Sequence, residues 1–179
     1  ELAIHVSSEG ELEQVRPLID FLLDEGKRLE LLFTSESVEK KVEKLYLTHS
    51  DQLRVLRLPL LSFWPFLQTW VSADRVLLVR YDFYPELMLL GFSKRLFLCE
   101  ATLKNVKSNL FLAHYRLRFY QLFSKIICAS RQDQERFKLL GLPEDKLLVA
   151  PLRFEQIAHR LSSSAQSLSR HRVFSHWEE

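Results

Sequence analysis

Short apolar runs alternate with longer amphipathic segments along most of the chain. The runs are continuous rather than alternating in polarity, which is typical of strands in a parallel sheet that is covered on both faces. Seven strands are predicted in this way: Leu2–Val6, Leu29–Phe33, Leu53–Arg57, Arg75–Val79, Arg95–Leu98, Lys125–Ala129 and Leu147–Ala150. Apolar residues recur at helical spacing in three segments between them: Gly10–Asp24, Val38–Leu47 and Ser130–Leu140. The alternation predicts an α/β domain with a doubly wound, Rossmann-like parallel sheet of about seven strands.

The length and composition fit one folded domain. The chain has 179 residues, of which 47% are hydrophobic and 27% are charged, as in ordinary globular proteins. No apolar run reaches the roughly 18 residues that a membrane-spanning helix needs. We expect one domain over residues 1–160, followed by a linker or the start of a second domain over residues 161–179. Cys99 and Cys128 lie in apolar runs, which predicts buried, reduced thiols and favours the cytoplasm.

Charge is distributed unevenly, although the formal net charge is only +2. Residues 101–131 contain no acid and six bases, Lys104, Lys107, Arg116, Arg118, Lys125 and Arg131. A basic block of this kind suits an anionic partner. Apolar residues at helical spacing over residues 102–125 leave a narrow basic face, which predicts either a helix at a lipid surface or a core helix with one solvated edge. The first alternative puts Arg116, Arg118 and Lys125 at the lipid surface, with Lys104 and Lys107 near phosphates.

A polar turn follows the first predicted strand and opens the first helix. In an open α/β sheet, ligands bind at the carboxyl ends of the strands, where a helix N-terminus offers free backbone N–H groups. Gly10 would let the chain turn tightly and let a ligand approach closely. Glu11 could accept a proton from a hydroxyl nucleophile. The alternative is structural, with Ser8 capping the helix and Glu11 completing a capping box.

A second carboxylate, Asp82, follows the fourth predicted strand. It would lie at the same edge of the sheet as Glu11, and two carboxylates that face one cleft can bind and deprotonate a hydroxyl group. The alternative is that Asp82 caps a helix whose first turn contains Pro85. The sequence contains no GxGxxG, GxxxxGK[ST], HExxH or GxSxG motif, so simple NTPase, zincin and hydrolase functions lose their usual support. The histidines show no ligand spacing, and we expect no metal site.

Five segments, in order along the chain, resemble the Kdo transferases, which move 3-deoxy-D-manno-octulosonic acid (Kdo) from CMP-Kdo to a lipid A precursor. Residues 5–11 are similar to the family's H-x-x-S-x-G-E, and residues 82–85 are similar to its E-L-W-P. Residues 101–103 occupy the place of its A-R-L. Residues 129–141 and 151–155 resemble its Q-S-x-x-D-x-x-R-F-x-x-L-G and G-N-L-K-F-D. No single motif is strong, and the resemblance depends on their common order.

The resemblance implies the N-terminal, acceptor-binding half of a GT-B glycosyltransferase. It makes Glu11 the general base that deprotonates the acceptor hydroxyl, with Asp82 in support, so that transfer inverts the sugar carbon without a metal or a cofactor. The residues that we expect to bind substrate are Ser8, Gly10, Thr102, Lys104 and Lys107. The chain departs from the family pattern at Arg80, Glu86 and Thr102, which would suit a specialised member.

The implied partners are CMP-Kdo, a lipid A precursor, an anionic membrane surface and a C-terminal donor domain of the same protein, with no role for nucleic acid. The implied location is the cytoplasmic face of the bacterial inner membrane, where the protein would be peripheral or anchored by a segment upstream of residue 1. The chain alone would be inactive because half of the cleft is missing. Two alternatives stay open, an inactive relative that binds lipid A or a partner, and a different GT-B nucleotide-sugar enzyme.

Overall fold

A single parallel sheet of seven strands forms the centre of the computed structural model. The structure describes residues 1–58, 69–80, 85–103 and 110–150, with the backbone alone for residues 85–86 and 110–113. The strands are β1 (Leu2–Val6), β2 (Leu29–Phe33), β3 (Leu53–Arg57), β4 (Arg75–Val79), β5 (Arg95–Ala101), β6 (Phe123–Cys128) and β7 (Leu147–Val149). They lie in the order β3-β2-β1-β4-β5-β6-β7, and every neighbouring pair is parallel. The predicted Rossmann-like fold is therefore confirmed.

Helices cover both faces of the sheet. They are α1 (Glu9–Asp24), α2 (Glu36–Tyr46), α3 (Pro85–Leu89), α4 (Leu110–Tyr120) and α5 (Arg131–Leu139), with short 3₁₀ turns at Leu47–His49, Leu90–Phe92 and Glu144–Lys146. The buried apolar side chains of α1 and α2 belong to one core cluster, and those of α3, α4 and α5 belong to a second. Two covered faces explain why the strands are continuous apolar runs. None of the described helices is long and apolar enough to cross a membrane.

The ends of α1 and α5 lie where the sequence predicted them. Gly26 and Gly141 follow these helices with φ angles of 70° and 102°, in the left-handed region that glycine enters without strain. The backbone N–H of Lys27 donates to the carbonyl of Leu22 (2.9 Å), and that of Leu142 donates to the carbonyl of Phe137 (3.2 Å). These bonds complete two Schellman motifs, so each glycine ends its helix.

The predicted helix over residues 102–125 is shorter than its apolar pattern indicated. The helix α4 ends at Tyr120, because Phe123 is completely buried and pairs with Leu96 at the start of β6. Lys125 therefore lies in a strand, where its Nζ donates to the carbonyl of Asp145. The placement of Lys125 on the basic face of this helix is wrong, whereas Arg116 and Arg118 are helical as predicted.

The direction of winding reverses between β1 and β4. The chain proceeds from β1 to β2 and β3 on one side, and from β4 to β5, β6 and β7 on the other. A crevice opens at such a switch point, outside the carboxyl ends of the two central strands, and ligands of open α/β sheets bind there. The residues after Val6 and Val79 therefore occupy the position where a site is expected.

Candidate active site

The carboxylate of Glu11 lies at the switch point and is held by the residue that leaves β1. Its Oε2 accepts hydrogen bonds from the backbone N–H of Ser7 (2.8 Å) and from the Ser7 hydroxyl (2.9 Å). Within the described residues, no hydrogen bond reaches its Oε1. The side chain is only 7% exposed. Ser7 thus fixes one oxygen of the carboxylate.

The structural alternative for this turn is confirmed in part. Ser8 is the N-cap of α1, and its Oγ accepts from the backbone N–H of Glu11 (3.3 Å). In the usual capping box the glutamate accepts in return from the N-cap residue. Here Glu11 accepts from Ser7, one residue earlier, so the carboxylate reaches back toward the end of β1. The turn therefore both caps the helix and brings the acid to the edge of the sheet.

Gly10 lies in the first turn of α1 and has an ordinary helical conformation, since its φ is not positive. The prediction that Gly10 makes a tight turn is therefore wrong, because the N-cap residue Ser8 already provides the change of direction. Among the residues that the structure describes, a Cβ atom at Gly10 would meet the Ser8 Oγ alone, at 4.0 Å. The described residues therefore leave space beside this backbone, as the approach of a ligand requires.

Two strained residues lie side by side at the ends of β4 and β5. Arg80 and Glu100 have φ angles of 62° and 52°, in the left-handed region that costs a residue with a Cβ about 1–2 kcal/mol. They follow Val79 and Cys99, which are partners in the sheet, and the backbone N–H of Arg80 donates to the Cys99 carbonyl (2.9 Å). Both strained residues therefore border the switch-point edge.

Glu100 is a buried acid that the sequence analysis missed, and only 2% of it is exposed. Burial, and then the negative charges of Glu100 and Glu11, raise the pKa of the Cys99 thiol to about 12. Both carboxylates therefore lie within electrostatic reach of one sulfur atom. An acid inside an apolar strand run was the signal in the sequence that could have revealed it. Cys99 and Cys128 are themselves buried and free, as predicted.

The helix α5 fixes the segment that follows Glu100. The Oδ1 of Asp133 accepts from the backbone N–H of Leu103 (3.1 Å), and its Oδ2 accepts from the Ser130 hydroxyl (2.5 Å). The Nη1 of Arg136 donates to the Leu103 carbonyl (3.0 Å). Both backbone groups of Leu103 are thus bound by side chains of one helix, which directs the chain as it leaves the sheet.

The other predicted site residues are distributed around this edge or lie outside the described residues. Thr102 is half-buried, and within the described part of the chain its Oγ1 has no hydrogen-bond partner. Asp82, Lys104 and Lys107 lie outside the described residues. The structure therefore brings Ser8, Gly10 and Glu11 together and adds Glu100, while the role of each stays a prediction.

The basic helix α4 has an exposed aromatic and polar surface. Tyr115 is 71% exposed, His114 and Arg118 are exposed, and Arg116 is half-buried. Lys125 is separate from this surface because it lies in β6. Among the described residues, no group of three or more His, Cys, Asp or Glu side chains is arranged to hold a metal ion.

Comparisons with solved structures identify the fold. The chain is similar to UDP-GlcNAc 2-epimerase from Neisseria meningitidis bound to UDP-GlcNAc, with a TM-score of 0.69 and 13% identity, covering 96% of this chain and 52% of that one. It is also similar to the enzyme from Rickettsia bellii, with a TM-score of 0.61 and 13% identity over 90% of this chain and 47% of that one. These epimerases have the GT-B fold, and this chain spans about half of their length.

A comparison with curated proteins finds no matching relative. A family model described as 3-deoxy-D-manno-octulosonic-acid transferase (kdotransferase) matches residues 1–156, which include every strand and helix described above. The match also includes the cap of α1, Glu11 and the segment around Glu100. The chain, one Rossmann-like half of a GT-B fold, belongs to the 3-deoxy-D-manno-octulosonic-acid transferase family of glycosyltransferases.

Proposed function

We propose that this chain is the acceptor-binding half of an enzyme that transfers Kdo from CMP-Kdo to a lipid A precursor. The observation that carries the proposal is the Glu11 carboxylate, which the Ser7 backbone and hydroxyl hold at the switch point through one oxygen. An acid in this position, in a chain of this family, supports a role as general base.

The chemistry is a direct displacement at the anomeric carbon of Kdo. Glu11 takes the proton of an acceptor hydroxyl, the hydroxyl oxygen bonds to the anomeric carbon, and the bond from that carbon to the CMP phosphate breaks. Attack from the face opposite the leaving group inverts the configuration. The negative charge leaves with CMP and the proton remains on Glu11, so the step needs neither a metal nor a cofactor. Asp82 assists as a second carboxylate.

The acceptor reaches this edge from a membrane surface. The exposed Tyr115 and Arg118 of α4 suit an interface that carries anionic groups, where an aromatic ring and a cation bind together. Lys104 and Lys107 bind the phosphates of the lipid, and Ser8, Gly10 and Thr102 border the acceptor sugar. The enzyme works at the cytoplasmic face of the inner membrane, and a donor domain of the same protein binds CMP-Kdo.

One observation favours a second candidate, a GT-B enzyme that acts on another nucleotide sugar. The chain is similar in fold to epimerases whose names specify UDP-GlcNAc, at 13% identity. The departures at Arg80, Glu86 and Thr102 suit a changed substrate. An inactive relative that only binds lipid is the third alternative, and the presence of Glu11 argues against it.

A donor screen with the complete gene product separates these functions. The enzyme is incubated with a lipid A precursor in mixed micelles and with CMP-Kdo, UDP-GlcNAc or a GDP-sugar, and products are identified by mass spectrometry. We expect a lipid product heavier by one or more Kdo units with CMP-Kdo alone. Conversion of UDP-GlcNAc without lipid modification would replace the proposal with the second candidate, and lipid binding without turnover of any donor would replace it with the third.

A further inference from the structure

Two arginines begin neighbouring strands at the amino edge of the sheet, the edge opposite to Glu11. Arg75 is the first residue of β4, Arg95 is the first residue of β5, and the two are direct partners in the parallel ladder. Side chains of paired residues leave the sheet on the same face, so these two guanidinium groups are neighbours. Both residues are exposed. Like charges on directly paired residues are unfavourable in a sheet.

The rest of the described ladder contains one other pair of charged residues, and it has the opposite design. Glu30 of β2 is paired with Arg54 of β3, and the two side chains form an ion pair of 2.8 Å. The arginines that begin β4 and β5 form no ion pair with any residue that the structure describes. A pair of adjacent cations of this kind is stabilised when an anion lies between them.

The two guanidinium groups border an open hollow of about 490 Å³. The residues that line it are Asp74, Arg75, Gly91, Phe92, Ser93, Lys94 and Arg95. The backbone N–H of Arg95 donates to the Asp74 carbonyl (2.9 Å), and the Nζ of Lys94 donates to the Ala73 carbonyl (2.8 Å). The second bond fixes the ammonium group of Lys94 and uses one of its three N–H donors. Three cations and one carboxylate thus belong to the described lining of this hollow.

The chemistry of this lining suits a phosphate group. A guanidinium group binds phosphate oxygens through two parallel N–H bonds, and an ammonium group adds a compact charge. The described lining has an excess of two positive charges, which matches the dianion of a phosphate monoester. Phe92 also lines the hollow and is 74% exposed. An exposed aromatic ring beside cations is typical of surfaces that meet lipid headgroups.

We propose that Arg75, Arg95 and Lys94 form an anion site that binds a phosphate monoester at the amino edge of the sheet. The site is separate from the transfer site, because the length of β4, roughly 13 Å, lies between the two edges of the sheet. The inference goes beyond the proposed function and does not depend on it. A soluble phosphorylated molecule and an anionic lipid headgroup present the same group, and the exposed Phe92 favours the lipid.

Removal of one arginine should change stability in opposite directions with and without phosphate. Arg95→Gln and Arg57→Gln each remove one exposed positive charge, and Arg57 lies on β3, away from the hollow. We measure thermal unfolding of the complete protein at constant ionic strength. Without phosphate, Arg95→Gln should unfold at the wild-type temperature or above, because the repulsion is relieved. In saturating inorganic phosphate the wild type should be the more stable protein, since the bound anion stabilises it.

The control variant separates binding from the general effect of phosphate on proteins. Phosphate stabilises folded proteins by exclusion from their surface, and this effect is the same in every variant. Arg57→Gln should therefore gain as much stability from phosphate as the wild type does. Isothermal titration calorimetry with inorganic phosphate then gives the affinity, which should be at least about tenfold weaker in Arg95→Gln. Arg95→Lys, which keeps the charge without the planar fork, should have an intermediate affinity.

Binding to vesicles identifies the source of the phosphate. The complete protein is sedimented with phosphatidylcholine vesicles that contain either no phosphatidic acid or about 20% of it. Weaker binding of Arg95→Gln than of Arg57→Gln to the acidic vesicles would assign a lipid headgroup. Equal vesicle binding, with phosphate affinity that depends on Arg95, would assign a soluble phosphorylated ligand. Equal vesicle binding together with unchanged or undetectable phosphate affinity would overturn the proposal. None of these results depends on transfer of Kdo.

Discussion

Substitution of Asp133 should release the segment that leads from Glu100 toward the predicted substrate-binding lysines. The Asp133 carboxylate binds the Leu103 N–H and the Ser130 hydroxyl, and its ion pair with Arg136 (3.4 Å) is partly exposed. In Asp133→Ala, the Leu103 N–H loses its acceptor while Leu103 stays buried, at 4% exposure. Asp133→Asn is the matched variant, since its amide oxygen can still accept from Leu103.

The magnitude follows from the bonds that are lost. A hydrogen bond to a charged group contributes about 1.5–3 kcal/mol, and an unsatisfied buried N–H costs a comparable amount. The partly exposed pair with Arg136 adds little because solvent screens it. These terms overlap, so Asp133→Ala should lower the local opening free energy at Leu103 by about 3 kcal/mol. Asp133→Asn should lower it by about 1 kcal/mol, the contribution of a neutral hydrogen bond.

Hydrogen exchange measures this opening directly. A loss of about 3 kcal/mol accelerates exchange of the Leu103 amide by roughly 100-fold, and a loss of about 1 kcal/mol accelerates it by roughly fivefold. Amides of the distant strand β2 serve as the internal control and should change by less than about twofold. Unchanged exchange at Leu103 in Asp133→Ala would refute the role of this carboxylate. Equal acceleration in β2 would refute its local character.

Three further predictions concern Gly10 in α1, the two cysteine thiols and the buried acid Glu30 of β2. Gly10→Ala should raise the free energy of unfolding by about 0.5 kcal/mol, because alanine favours a helix more than glycine does. The added methyl group should also lower kcat/KM for the acceptor, because it occupies space beside the backbone. An unchanged kcat/KM would exclude a close approach of the acceptor at Gly10. Burial raises the pKa of both Cys99 and Cys128 to about 12, so neither thiol should react with iodoacetamide at pH 8. Because unfolded thiols ionise near pH 9, the free energy of unfolding should fall as the pH rises from about 9 to 12, by up to about 1.4 kcal/mol per pH unit for each thiol. Rapid labelling of the folded protein at pH 8 would contradict the raised pKa values on which both the labelling and the pH predictions depend. Burial alone would raise the pKa of the Glu30 carboxyl, but the hydrogen bonds that this carboxylate accepts have the larger combined effect, and the pKa lies below its usual value of 4.5. Its stabilisation is therefore complete above pH 4.5 and disappears as the pH falls through the lowered value, so urea unfolding of Glu30→Gln should depend less on pH in this range than unfolding of the wild type.

The fold could be predicted because its signals are local. Strands buried on both faces must be apolar throughout, and the first four strand boundaries agree with the structure residue by residue. The glycines at 26 and 141 marked the helix ends, since only glycine enters the left-handed region without strain. The boundary near Lys125 failed because the apolar pattern of α4 continues into β6, and only pairing with β5 separates the two.

The site was predictable in part for the same reason. The Ser8 cap and the place of Glu11 follow from a turn between a strand and a helix, which is visible in seven consecutive residues. The acceptance of a bond from Ser7 rather than from Ser8 depends on side-chain geometry, which no spacing specifies. The strained conformation of Glu100 depends on the register between β5 and β6, a relation between segments distant in sequence. Side chains placed by bulges therefore escape analysis of local patterns.

Transfer by Glu11→Gln tests the central claim most directly. Glutamine keeps the size of the side chain and can accept the Ser7 N–H, but it cannot take a proton from a hydroxyl. We expect its kcat for transfer of Kdo from CMP-Kdo to fall by at least about 100-fold, while unfolding of the complete protein remains near wild type. Glu9→Gln, which removes an exposed carboxylate from the same helical turn, should transfer at the wild-type rate. Transfer by Glu11→Gln within about threefold of the wild-type rate would contradict the account, because loss of a general base should slow transfer by about 100-fold or more.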